Sequence, residues 1–287
     1  MIILLATSSA LFANHKIIIQ ISPPRCLSTA ALRMWQARGD FEVMNEAFIS
    51  AFVSHSSPDQ SLTSNWWREG VPHTFEETIE KVFHLAETRP VFIKEESFSL
   101  VEYLRTNRLL ITNPNVHFIF LVRNPHHAIS SLYKKHGKTI HDFSYMVGFQ
   151  PCYEIFQMVQ EHGINQPVIL QAEDLYTRPY ETAQSLCAAL DIPFIEQMLE
   201  WQDLGDSFTG TTEWHELKNP ELTHYWHGDA ITSTGFHTPA TYDVDNQGNP
   251  TFSEVLDEND RAECIEAYHA NKLYYDLLLA QQTVNFG

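Results

Sequence analysis

The chain has 287 residues, enough for one domain with a substantial buried core, and an ordinary 44% of hydrophobic residues. Its 36 acidic residues outnumber 18 basic ones, for a formal net charge of −18. That balance argues against a nucleic-acid backbone or an anionic membrane surface as a partner, and confines any anion site to a locally basic pocket; no stable membrane insertion is expected.

Residues 1–13, MIILLATSSALFA, are apolar and end in small residues. They are too short for a membrane-spanning helix. They also lack the basic region that opens a secretory signal. The expected layout is an apolar N-terminal segment over residues 1–15, then a single domain over 16–287. A cleaved signal is the alternative. Cys26, Cys152, Cys187 and Cys264 are scattered without CxxC or zinc spacing, which suits a reduced, cytoplasmic setting.

KIIIQIS, residues 16–22, has the β-branched pattern of a strand buried on both faces. Two prolines stop it. STAALRMWQAR, 28–38, then predicts a helix that opens on Ser28 or Thr29 and closes at Gly39. FEVM at 41–44 reads as a second strand. Residues 54–72 are rich in Ser, Pro, Asp and Asn, a loop of functional length.

A helix is expected near 74–87, a strand at 90–96 and a helix near 97–106. VHFIFLV at 116–122 is the strongest strand signal, followed by a helix over 125–134. A strand at 167–171 and a helix at 179–190 come next. Residues 205–253 are turn-rich and aromatic with no clear period, and 257–280 predict one closing helix capped by Asp257 or Asn259. Strands alternating with helices imply an α/β fold: a mostly parallel sheet with helices on both faces, a P-loop-like three-layer sandwich. Ligands in such sheets bind beyond the carboxyl ends of the strands.

Two strand ends carry the chemistry. In IIIQISPPRCLST, a strand turns into a helix whose free N–H groups attract phosphate oxygens, with Arg25, Ser28 and Thr29 beside them. A Walker loop, GxxxxGK[ST], is absent, which disfavours ATP or GTP hydrolysis. In FLVRNPHHAISS, Arg123 stands at a strand exit and Ser131 lies on the following helix, so an anion fits between them. Read alone, the first is equally a connection with one solvated Arg, and the second an Arg bridging acidic neighbours.

Together the two segments resemble the nucleotide signatures of the PAPS-dependent sulfotransferase family. PAPS is the sulfuryl donor of that family, a 3′-phosphorylated nucleotide left as PAP after transfer. By resemblance, Arg25, Cys26, Leu27, Ser28 and Thr29 stand in the loop for the 5′-phosphosulfate. Arg123, Pro125 and Ser131 stand in the motif for the 3′-phosphate. QAEDLYTRPYETAQSLCAALDIPF, 171–194, is similar to the strand, Glu-Asp-Leu and helix segment of the same family. STGFHTP, 233–239, fits its late loop over the nucleotide.

Cys26 and Leu27 replace the Ser and Gly of many members, and His127 stands where Asp is common. The His that often follows the third strand is missing.

The resemblance implies Glu46 as the acceptor's general base and Lys94, with Arg25, as the group that stabilises the leaving oxygen. Glu46 reads equally as a helix-start charge, and Lys94 as a partner of Glu95 or Glu96. Trp66, Trp67 and Arg68 either cover an acceptor or anchor their loop. His224, His227 and Asp229 invite a metal reading that packing explains better, and no metal is expected. The acceptor is open: a small molecule, glycan, lipid or peptide. The alternatives are a P-loop-like kinase relative or a PAP-binding protein without turnover.

Overall fold

A computed structural model describes residues 13–56, 67, 69–136, 143–205 and 219–282. Five strands form one parallel sheet in the order β2-β3-β1-β4-β5. They are β1 (Ile17–Ser22), β2 (Glu42–Asn45), β3 (Val91–Glu96), β4 (Val116–Val122) and β5 (Val168–Gln171). The chain runs outward from β1 to one side and then returns to build the other, so the strand order reverses at β1. That is where such sheets open a crevice at their carboxyl ends.

Alternation along β1 explains the three layers. Ile17, Ile19 and Ile21 join one hydrophobic cluster, and Ile18 joins the other. The first cluster is filled by helices α3 (Phe75–Leu85), α4 (Ser97–Thr106), α5 (Pro125–His136), α7 (Phe149–His162) and α11 (Glu258–Leu279). The second takes α1 (Ser28–Arg38), α8 (Ala172–Thr177), α9 (Pro179–Ala189) and the end of α10 (Pro220–Ile231). Two further helices are α2 (Ile49–Ser56) and the single turn α6 (Phe143–Met146).

α1 spans the residues its sequence predicts, and Gly39 closes it at φ 79°, a left-handed conformation that glycine adopts freely. Asp257 caps α11 by accepting from the Asn259 and Asp260 amides, as expected. No described helix is long and apolar enough to cross a membrane.

The structure adds helices that the sequence reading passes over. α7 buries Phe149, Cys152, Ile155, Phe156 and Val159 at three- and four-residue steps, an ordinary amphipathic stripe. α10 is different. Among its described side chains it buries Thr223, His227 and Ile231, of which one is apolar. α2 begins five residues before the expected loop and ends within it. Trp66, Arg68 and residues 1–12 lie outside the described residues.

Candidate functional site

The loop after β1 is held in an unusual shape. Arg25 and Leu27 both adopt left-handed backbone conformations, at φ 64° and 63°, with Cys26 between them fully buried. Burial pushes the Cys26 thiol well above its ordinary range, so it is an anchor in the core, not a nucleophile. Gly148 presses against the same loop: a Cβ there would lie 2.7 Å from Pro24 Cδ. Leu27 is the N-cap of α1 and offers no side-chain cap. The opening amides of that helix therefore lack the usual capping oxygen and suit an anion.

The two arginine motifs meet. Arg25 Nε donates to Ser131 Oγ (3.0 Å) and its Nη1 to the Trp226 carbonyl (3.0 Å). Arg123 Nη1 donates to the Arg25 carbonyl (3.1 Å), while its Nε is buried with no partner. Burial lowers Arg25 below the usual guanidinium value against the pull of Glu96 and Asp229, yet a guanidinium remains charged at any working pH. The turn after Arg123 is fixed from the third motif, since Asn124 N donates to Glu173 Oε1 (3.0 Å). His127 is pushed down to about 4 by burial and by neighbouring Arg123 and His126, so it stands neutral there.

Glu46 and Lys94, which the sequence presents as separate candidates, are direct partners. β2 and β3 run in register with Asn45 opposite Lys94, and the Glu46 amide donates to the Lys94 carbonyl (2.6 Å). Lys94 Nζ donates to Glu46 Oε1 and to Glu96 Oε1, the latter at 2.6 Å. Burial disfavours the ammonium, but the two carboxylates overcome it and hold Lys94 above its ordinary value. Glu95 points elsewhere: it accepts from the Phe48 amide (2.8 Å), the Glu96 amide (3.0 Å) and Ser99 Oγ (2.7 Å). Of the two partners expected for Lys94, the structure selects Glu96.

These groups share a cavity of about 750 Å³ at the carboxyl ends of the strands. Arg25, Leu27, Ser28, Thr29, Arg123 and Ser131 line it, as do Glu46 and Lys94. Cys26 does not; only its backbone belongs to the loop. The 233–239 segment reaches the cavity through Ser233, Gly235, His237, Thr238 and Pro239. Trp67 lines it while 4% exposed, so covering and anchoring are combined.

The sequence reading missed the contribution of α10, which closes over the loop. His227 Nδ1 lies 3.1 Å from Thr29 Oγ1, and Arg33 donates to the Gln202 carbonyl (2.6 Å) and the Ile231 carbonyl (3.3 Å). The signal for His227 in the sequence was only its place beside His224 and Asp229, a weak metal pattern. Among the described residues, no three His, Cys, Asp or Glu side chains are grouped to hold a metal ion.

Comparison with known proteins gives a family and several similar chains. A family model described as "Sulfotransferase domain" matches residues 16–247. Branched-chain-amino-acid aminotransferase-like protein 2 of Arabidopsis thaliana is 27% identical over 226 residues, which are 77% of this chain and 36% of that protein. The chain thus spans little more than a third of that relative's length. Among solved structures, the sulfotransferase domain of the Synechococcus PCC 7002 olefin synthase is similar at 17% identity and a TM-score of 0.47, covering 89% of this chain and 96% of that one. The sulfotransferase domain from the curacin biosynthetic pathway is 17% identical at a TM-score of 0.46, covering 79% and 94%.

Proposed function

The chain belongs to the sulfotransferase domain family, and we propose that it transfers a sulfuryl group from PAPS to a hydroxyl or amine acceptor by in-line displacement. The observation that carries this reading is the meeting of Arg25, Arg123 and Ser131 on one cavity beside the uncapped start of α1. The fit to a doubly phosphorylated nucleotide is good. Among the described residues, the buried Arg123 Nε lacks a partner and both guanidinium groups donate to neutral oxygens. Arg25, the Cys26 and Leu27 backbone, Ser28 and Thr29 are assigned to the phosphosulfate, and Arg123 with Ser131 to the 3′-phosphate.

In the proposed step the acceptor oxygen attacks sulfur, and the bond from sulfur to the 5′-phosphate oxygen breaks. Glu46 takes the acceptor's proton, and PAP carries away the electron pair. Lys94 and Arg25 stabilise the negative charge that grows on the leaving oxygen, a demand shared with phosphoryl transfer. Residues 16–287 act as one unit in this proposal, because α11 packs on α5, α6 and α7 and contributes Cys264, Ala267 and Leu278 to the sheet's core.

Calorimetry with PAP, ATP and adenosine 5′-phosphosulfate tests the site. PAP is expected to bind far more tightly than the other two. Equal binding of ATP would instead favour a kinase relative. Equal binding of adenosine 5′-phosphosulfate and PAPS would remove the 3′-phosphate assignment. Single-turnover transfer from labelled PAPS then separates an enzyme from a binder without turnover.

A further inference from the structure

α10 is tied to the loop after β1 and to α1 through Arg25, Thr29 and Arg33, which stand four residues apart in the sequence. At the near end, Arg25 Nη1 donates to the Trp226 carbonyl (3.0 Å). At the far end Arg33, only 2% exposed, donates to the Ile231 carbonyl (3.3 Å). His227 lies between these two anchors, buried, with Nδ1 3.1 Å from Thr29 Oγ1. Thr29 and His227 both line the cavity. A ring packed on a helix that is fixed on either side of it is a rigid platform for one hydrogen bond.

The direction of that hydrogen bond decides what Thr29 offers a ligand. Thr29 is the second residue of α1, where backbone amides are open to an anion. A phosphate or sulfate oxygen only accepts, so Thr29 serves it only by donating its single hydroxyl hydrogen. If Nδ1 is bare, that hydrogen goes to the ring and the lone pairs of the hydroxyl are left to face the anion. If Nδ1 carries a hydrogen, Thr29 Oγ1 accepts it and its own hydrogen turns to the cavity. An anion at the start of α1 therefore selects the second arrangement.

We propose that His227 is a positioning residue for the donor nucleotide: its Nδ1–H donates to Thr29 Oγ1 and so aims the Thr29 hydroxyl hydrogen at the 5′-phosphate oxygens. This rests on the sulfuryl-transfer reading above and deepens it. A side chain outside the two arginine motifs, on a helix that hydropathy does not mark, then takes part in holding the nucleotide.

Calorimetry on the full chain tests this with PAP and with adenosine 3′-phosphate, which lacks the 5′-phosphate. His227→Asn keeps an amide N–H near the place of Nδ1, whereas His227→Gln carries its amide one carbon farther, toward the place of Nε2. The Gln variant should weaken PAP binding about tenfold, the scale of one hydroxyl contact to an anion. The Asn variant should stay within about threefold of wild type. Thr29→Val removes the hydroxyl and keeps the branched shape. In that background His227→Gln should change PAP affinity by less than about twofold, because the two residues act as one unit. Adenosine 3′-phosphate should bind the wild type and the Gln variant alike, within about twofold. His227→Phe replaces the Gln variant if thermal melting shows that the latter does not fold.

The inference fails, with the nucleotide site intact, if the Gln variant binds PAP as the wild type does or if the Asn variant is as weak as the Gln variant. It fails equally if His227→Gln costs as much without the Thr29 hydroxyl as with it, which would mark a direct contact or a packing role. An equal loss for adenosine 3′-phosphate would place the effect away from the 5′-phosphate and overturn it as well. If PAP does not bind the wild-type chain, the sulfuryl-transfer reading fails and this one with it.

Discussion

The two ends of the cavity hold their cations in opposite ways. Among the described residues, Arg25 and Arg123 donate to a hydroxyl and to backbone carbonyls, with no carboxylate in direct hydrogen-bond contact. Lys94 sits 1% exposed between two carboxylates, and its surroundings carry a net negative charge. The contrast teaches where an anion is attracted and where a proton is accepted. A guanidinium on neutral oxygens keeps its field for a ligand. An ammonium locked by carboxylates gives little net attraction until a new negative charge competes for it. In the proposed reaction the arginine end would serve ground-state binding, and the lysine end the charge that develops during transfer.

Substitutions that separate affinity from turnover sharpen this contrast. Glu46→Gln removes the proposed base and leaves the arginine end intact. Turnover should fall by roughly 10²- to 10⁴-fold with PAP affinity nearly unchanged. A variant with wild-type activity per folded molecule would reduce Glu46 to a structural partner of Lys94. Arg123→Ala should do the reverse and act on binding. Loss of a charge-assisted contact costs about 1.5–3 kcal/mol, or roughly ten- to a hundredfold in PAP affinity. Ser131→Ala should cost about half as much free energy, the scale of a neutral hydroxyl. If the serine change is the more damaging in calorimetry, Arg123 is not the main anion contact of the arginine end.

The arginine end was legible in the sequence because each group follows a strongly patterned strand and is spaced by a helix that begins at once. Arg25, Ser28, Arg123 and Ser131 fall together once β1 and β4 are neighbours. The carboxylate end was only half legible. Glu46 and Lys94 both stand out as candidates, but 48 residues separate them, and nothing local shows that β2 pairs with β3 in a register that joins them. α10 was hidden for another reason. It docks through Thr223, His227 and Ile231, and an interface with polar side chains on two of these turns leaves little hydrophobic period to read. The early strands and α1 were readable because burial of branched apolar residues is a signal that the sequence carries in full.

Titration offers a subtler way to set the two ends apart. Glu95 is buried beneath Glu46 and Lys94, and burial raises it to about 8 against the hydrogen bonds from Phe48 and Ser99. Its folded value lies above the unfolded one, so the folded state keeps a proton that the unfolded chain releases between about pH 4.5 and 8. That contribution to stability is fully present below the unfolded value and is lost as pH rises through the folded one. The melting temperature should therefore decline from about pH 5 to about pH 8. Glu95→Gln should flatten that slope, at a cost at neutral pH of about 1–3 kcal/mol from an amide group facing backbone donors. Arg25, a guanidinium, does not titrate in this window. A slope unchanged in the Gln variant would move the pH dependence away from this end of the sheet.

The smallest effect concerns Leu27, which stands where the sequence resemblance expects a glycine. Its backbone already adopts the left-handed conformation that glycine takes without strain, and its half-buried side chain packs against the core cluster around Trp35. Leu27→Gly should relieve roughly 1–2 kcal/mol of backbone strain and lose a similar amount of apolar burial. The two nearly cancel, so the melting temperature should move little. The loop shape is set by Cys26 in the core and by Gly148 against Pro24, neither of which the substitution touches. PAP affinity should accordingly stay within about threefold, less than 1 kcal/mol. If the glycine variant instead binds PAP tenfold more tightly, the leucine side chain does obstruct the approach of the phosphate. The arginine end would then be a binding site held below its full strength by one residue.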